Sequence, residues 1–231
     1  MKKLKTIIDD GCNPELVAGA EFDLPLGIPI IKAPKKIIVP DRIVPFSERN
    51  KVPPEGTAIC FNEMDVNFAD VIRNPQKYDE EFRKYTAIIS PDLSLYRDAP
   101  LEVQLTNIYR GRAIGSYYQR RAHYVIPLIR WGNEYTYTTK YFPQKVAYLG
   151  VEKNSIIAIG TYGCIQGQEN KYHFEAGLDG MMETIEPNVV LVYGPMPEKI
   201  FRKHDSSARF VQYDDWTTYI HKGGDRYGQR K

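Results

Sequence analysis

The stretch from Ser155 to Tyr193, SIIAIGTYGCIQGQENKYHFEAGLDGMMETIEPNVVLVY, decides the fold class. It opens on a short apolar run, Ser155 to Gly160 (SIIAIG), and closes on another, Asn188 to Tyr193 (NVVLVY). Both runs have the length and composition of a buried strand. Between them, Tyr172 to Ile185 reads as a helix that must stop before Pro187, because proline removes a backbone donor. Strand, helix, strand is the unit of a parallel sheet.

The same rhythm extends outward in both directions. Thr57 to Asn62 (TAICFN) and Tyr85 to Ser90 (YTAIIS) are strands, the second stopped by Pro91-Asp92. His123 to Trp131 (HYVIPLIRW) is strand-like, with Pro127 interrupting its ladder. Arg209 to Tyr213 (RFVQY) is the last strand. Between them, Asp70 to Lys84 can hold a helix after Pro75, Leu101 to Arg121 predicts a long helix, Phe142 to Leu149 a helical segment, and Pro197 to Lys203 a short helix. About six parallel βα units predict an α/β protein wound in one hand, as a partial or distorted βα barrel. An open doubly wound sheet is the alternative. The barrel-like form is preferred, because no strand before residue 57 is convincing enough to double-wind the sheet.

Residues 1–55 differ. They carry Pro14, Pro25, Pro29, Pro34, Pro40, Pro45, Pro53 and Pro54, which exclude long helices and central strands. They predict a Pro-rich extended arm packed on the body, with Ile28 to Ile31 and Ile37 to Val39 as edge strands. Residues 56–216 are then the α/β core and 217–231 a basic tail. A length of 231 residues suits one such domain.

Charge and cysteine usage narrow the function classes. Thirty-one basic against 29 acidic side chains leave a net charge of +2, too even to imply nucleic acid by itself. Cys12, Cys60 and Cys164 are far apart with no CxxC pair, which argues against a disulfide framework or zinc site and for reduced thiols in a cytoplasm. No apolar run approaches the roughly 20 residues a membrane helix needs, and Asp9 and Asp10 interrupt any signal-peptide core after the basic N-terminus. The 17 tyrosines suit polar interfaces and base stacking, and are also ordinary strand residues.

Ligands of parallel α/β folds bind outside the carboxyl ends of the strands. That rule selects Asn62, Glu63 and Asp65; then Asp92, Ser94 and Tyr96; then Arg130 and Trp131; then Thr161, Tyr162 and Gly163; then Tyr193 and Gly194; and finally Asp214 and Asp215. Asp92, Glu63 and Asp214 are the catalytic candidates. With Asp65 they could hold a divalent ion such as magnesium, or divide acid and base roles; the plainer alternative is that they cap turns and helices. Gly160, Thr161 and Gly163 form a turn before a helix that could let backbone N–H groups approach a phosphate. Its spacing matches neither dinucleotide nor P-loop patterns, and a plain turn is the competing view. In NIYRGRAIGSYYQRR (Asn107 to Arg121), Arg110, Arg112, Arg120 and Arg121 interleave with Tyr117 and its neighbours. Arginine forks pair with phosphates and tyrosine faces with bases; a solvated helix face with packing glycines is the plainer view. Nucleophile elbows and paired metal-binding histidines are absent from the sequence. Cys164 follows the glycine turn and would be reactive only beside a cationic group.

SPDLSLYRDAP (Ser90 to Pro100), NIYRGRAIGSYYQRR and VIPLIRW (Val125 to Trp131), with the later GTYGC, GLDGMMETIEP and VLVYGP, resemble the domain-of-unknown-function family numbered 4417 over roughly residues 20 to 215. The family is uncharacterised and is associated with bacteria, phages and mobile elements. The resemblance implies that setting and brings no activity or catalytic residues. Its acidic strand end is richer in aspartate than Phe61 to Asp65 here, which counts against metal at Glu63 and Asp65.

Three functions are consistent with these features. The first is a nucleic-acid- or nucleotide-binding protein of a phage or mobile genetic element. The second is a βα-barrel-like enzyme, a hydrolase or glycosyl transferase, acting on a phosphorylated or nucleotide ligand. The third is an interaction protein whose partner is a host protein of a defence system.

Overall fold

The computed structural model describes residues 13–223. Cys12, the basic N-terminus and residues 224–231 of the expected tail lie outside the described residues. In chain order the strands are β1 (Phe22–Asp23), β2 (Ile28–Pro29), β3 (Arg42–Pro45), β4 (Thr57–Cys60), β5 (Ala87–Ile89), β6 (Val125–Ile126), β7 (Ile156–Gly160), β8 (Val189–Tyr193) and β9 (Arg209–Tyr213). β1 and β2 form a small antiparallel pair. β3 to β6 form a parallel sheet in chain order, and β7 to β9 form a second one.

The two sheets meet at an isolated parallel bridge between Leu128 and Ala158. Ile129 N–H donates to the Ala158 carbonyl at 2.8 Å, and Ala158 N–H donates to the Pro127 carbonyl at 2.9 Å. Pro127 lacks a donor, as expected, but its carbonyl still serves this pairing.

Strands β4 to β8 are apolar on both sides, and each side has its own partner. On one side, Ile43, Cys60, Ile89, Leu128, Leu191 and Tyr213 belong to one cluster drawn from β3 through β9, to which no helix among the described residues contributes. On the other, Ile59, Ile88 and Val125 pack on Phe82, Ile114 and Tyr118. Ile157, Ile159, Val190 and Val192 pack there on Leu178, Met181 and Phe201. The Tyr213 hydroxyl donates to the Pro40 carbonyl at 2.6 Å, tying the last strand to the segment that leads into β3.

The six strands expected from sequence correspond to β4 through β9. β3 is an addition: it comes from the Pro-rich segment and pairs from Arg42 opposite Thr57 to Pro45 opposite Cys60. Its place at the end of the strand order explains how prolines at both of its ends are tolerated, since an edge strand has one unpaired side. The long helix Leu101–Arg120 forms as expected. Its Gly115 lets it sit against the sheet, because a Cβ there would lie 2.4 Å from Ile31 Cδ1 and 2.9 Å from Ser90 Cβ. The helix Gln168–Ile185 begins four residues before Tyr172, directly after Gly167, whose φ of +79° suits glycine. The Asp70–Lys84 segment breaks at Pro75 into Ala69–Arg73 and Asp79–Phe82. The expected helix over Phe142 to Leu149 is reduced to a single 3₁₀ turn, Val146–Tyr148. After β9 the chain forms a helix, Trp216–His221, capped by the Asp215 side chain. Among the described residues no helix is long and apolar enough to cross a membrane.

Candidate functional site

The exits of β4, β5, the Val125–Ile129 segment and β7 border one cleft of about 630 Å³. Asn62 follows β4, Asp92 follows β5, Arg130 follows the paired Leu128–Ile129, and Gly160 to Cys164 follow the core of β7. Asn170 and His173 reach the cleft from the first turns of the Gln168–Ile185 helix. Met64, Tyr96 and Tyr162 border it while remaining largely exposed.

Asp92 is only 4% exposed. Its Oδ2 accepts from Asn62 Nδ2 at 2.9 Å and lies 3.4 Å from Arg130 Nη1. Burial pushes the carboxyl up to about 6, with the Asp65 charge adding to the rise and Arg130 and Asn62 opposing it. Arg130 is held charged above its ordinary value by Asp92, against the effect of its own burial. Its Nη2 also lies 3.5 Å from Cys164 Sγ. One guanidinium therefore spans a carboxylate and a thiol.

Two oxygens at this place, Asp92 Oδ1 and Asn62 Oδ1, are buried without a hydrogen-bond donor among the described residues. Each such acceptor costs about 1–3 kcal/mol when left unpaired. Gly160 makes room for the pair, since a Cβ there would lie 2.7 Å from Asn62 Nδ2.

The other sequence-selected residues separate into two groups. Glu63 and Gly163 border the cleft. The Glu63 carboxylate accepts from Ser47 N–H at 3.0 Å and Asn67 Nδ2 at 2.8 Å, so it fastens loops. Asp65 similarly accepts from the Ser94 hydroxyl at 3.1 Å. Thr161 is buried and donates to the Pro195 carbonyl at 2.7 Å, which holds the turn. Asp214 does not border the cleft and pairs with Lys222 at 2.8 Å. Among the described residues no group of three or more His, Cys, Asp or Glu could hold a metal ion.

The arginine helix lies elsewhere than the sequence suggested. Arg110, Arg112, Arg120, Arg121 and Tyr117 do not border the cleft. Arg112 is buried and donates to the carbonyls of Leu128, Leu149 and Ala147 at 2.6, 2.9 and 3.3 Å. Burial lowers it to about 10, so it stays charged at neutral pH. Arg120 donates to the Leu16 carbonyl and to the Ser116 hydroxyl. Arg121 pairs with Asp79 at 3.2 Å and lies over the Tyr117 ring. Asp79 also meets His123, which precedes β6, so this cluster sits at the opposite end of the strands from the cleft.

Sequence reasoning placed Asn62 and Arg130 at strand exits without ranking them above their neighbours. It missed Arg97, Asn170 and His173. Arg97 borders the cleft and pairs with Glu169 in the first turn of the Gln168–Ile185 helix, and no local pattern in the chain announces that contact.

Residues 20–214 match the family model described as Domain of unknown function (DUF4417). The Gene 1 protein of Mycobacterium phage D29 is 27% identical over 139 residues, covering 60% of this chain and 49% of that protein. The Gene 1 protein of Mycobacterium phage L5 is 26% identical over 164 residues, covering 71% of this chain and 66% of that protein. The chain thus spans about half to two thirds of the length of these curated relatives. No solved structure matches it.

Proposed function

We propose that this chain, which belongs to the DUF4417 family of domains of unknown function, is an enzyme of phage or mobile-element origin acting on a small phosphorylated or nucleotide ligand in the cleft around Asp92. One observation carries this: a buried carboxyl raised to about 6 stands at a strand exit beside a guanidinium, on the wall of a cleft. A carboxyl poised near neutral pH exchanges a proton readily, and a fixed cation stabilises negative charge that develops next to it. Hydrolysis or glycosyl transfer is the reaction class that such a pair serves.

The scaffold supports this role. We take the two sheets as one incomplete βα barrel, because the parallel order β3 to β9 follows the chain and its inner cluster draws on every strand. Barrel enzymes place their chemistry at the strand exits, and the cleft lies there. A volume of about 630 Å³ suits a small ligand. The binding of long nucleic acid rested on the arginine helix, and Arg112, Arg120 and Arg121 have partners within the chain. The relatives' phage origin supports the setting. Free thiols at Cys60 and Cys164 fit a reducing compartment such as a cytoplasm.

The test is turnover of a panel of nucleotides and sugar phosphates by the wild type, Asp92→Asn and Arg130→Gln. The wild type is expected to convert at least one compound, Asp92→Asn to lose 100-fold or more in kcat (about two orders of magnitude), and both variants to stay folded by circular dichroism. Equal turnover by the wild type and Asp92→Asn would remove Asp92 from the chemistry.

A further inference from the structure

We infer that the cleft reads a vicinal pair of hydroxyls, and that its ligand is a ribonucleotide in preference to a deoxyribonucleotide. This rests on the cleft being the ligand site, as proposed above, and adds what the site recognises.

The inference starts from the two buried oxygens that lack a donor, Asp92 Oδ1 and Asn62 Oδ1. They belong to side chains already joined through their other arms, Asn62 Nδ2 to Asp92 Oδ2 at 2.9 Å. That bond fixes which way the Asn62 amide faces, because its N–H must point at the carboxylate. The two free acceptors sit on side chains joined by that bond, and both residues border the cleft. Folded chains rarely leave buried acceptors unpaired, and two of them on joined residues that border a cleft point to donors supplied by what the cleft holds.

Arg130 decides what kind of donor fits. Its guanidinium lies 3.4 Å from the same carboxylate, and guanidinium only donates. An ammonium or amidinium has no lone pair to offer that guanidinium. Neutral hydroxyls satisfy both demands: each donates a hydrogen bond to an acceptor and can accept one from the guanidinium through a lone pair. Two hydroxyls on adjacent carbons match two acceptors on adjacent side chains.

The rim supplies the rest of the ligand. Tyr96 and Tyr162 border the cleft and remain 68% and 64% exposed, so their ring faces are open to a ligand. Base–aromatic stacking uses such faces. A ribose held at Asp92 and Asn62 with its base against a rim tyrosine is the arrangement these groups favour.

Titration calorimetry of the full chain with four probes tests this: adenosine 5′-monophosphate, its 2′-deoxy form, ribose 5-phosphate and 2-deoxyribose 5-phosphate. Each ribo probe is expected to bind roughly tenfold or more tightly than its deoxy partner. Asn62→Leu is expected to narrow that ratio, and Tyr96→Ala to weaken the nucleotide while sparing the sugar phosphate. Equal affinity within both pairs overturns the diol inference; if Asp92→Asn still weakens all four, the cleft survives as the ligand site. Absence of binding by all four also overturns it, and the turnover assay with Asp92→Asn then judges the enzyme proposal separately.

Discussion

The Arg130 guanidinium lies 3.4 Å from the Asp92 carboxylate, joining the exit of β5 to the exit of the segment that bridges the two sheets. The pair stands where the sheets meet, so its geometry depends on both. Asp92 keeps its charge there with difficulty, because burial outweighs the attraction of Arg130.

That balance predicts a pH dependence. The Asp92 carboxyl is raised from 3.8 to about 6 in the folded chain, so between about pH 4 and 6 the folded state holds a proton that the unfolded state has lost. Stability from this group is therefore highest at low pH and falls as pH rises through that window, by on the order of 3 kcal/mol in all. Asp92→Asn removes the titration. Urea denaturation of both proteins from pH 4 to 7 is expected to show the variant gaining on the wild type across the window. A constant difference would contradict the assigned direction.

Arg112 is expected to matter for folding and not for ligand binding. Its guanidinium satisfies carbonyls on two segments, Leu128 on one and Ala147 and Leu149 on the other. Arg112→Met should cost about 3 kcal/mol or more, since it leaves buried acceptors unpaired. Arg121→Ala should cost far less, because its pair with Asp79 is exposed on the arginine side and Arg83 and His123 remain. Denaturation midpoints would separate the two.

Gly160→Ala should act on Asn62. The added Cβ would lie 2.7 Å from Asn62 Nδ2, and the backbone at residue 160 is an ordinary strand conformation. The expected result is a loss of about 1–2 kcal/mol in stability together with a roughly tenfold fall in affinity for a ribo probe. A variant with unchanged affinity would show that the Asn62 position is not critical.

Cys164 and Cys60 should differ in reactivity. Cys164 is half-buried beside Arg130, whereas Cys60 is fully buried and its thiol is pushed up by that burial. Iodoacetamide should modify Cys164 in the native protein and Cys60 only after unfolding, as read by peptide mass spectrometry.

Much of the strand order could be read from the chain because it is local. Runs such as Ile156–Gly160 and Val189–Tyr193 are apolar throughout, and that pattern survives whatever the strand packs against. β3 escaped notice because the prolines around it argue against a central strand, and only its edge position makes them acceptable. The arginine helix misled for the opposite reason. Its charges look like a surface in one dimension, yet Arg112 is carried inward to carbonyls 16, 35 and 37 residues away.

By itself the sequence determined that this is a parallel α/β protein, because hydrophobic runs and their interruptions are encoded residue by residue, and its motifs carry the resemblance to the DUF4417 family. Only the tertiary structure decided which exits share a cleft and which charge meets which. Asn62, Asp92, Arg130 and Cys164 come from four separate segments. Burial, which sets both the raised Asp92 carboxyl and the unpaired oxygens beside it, exists only once those segments have packed together.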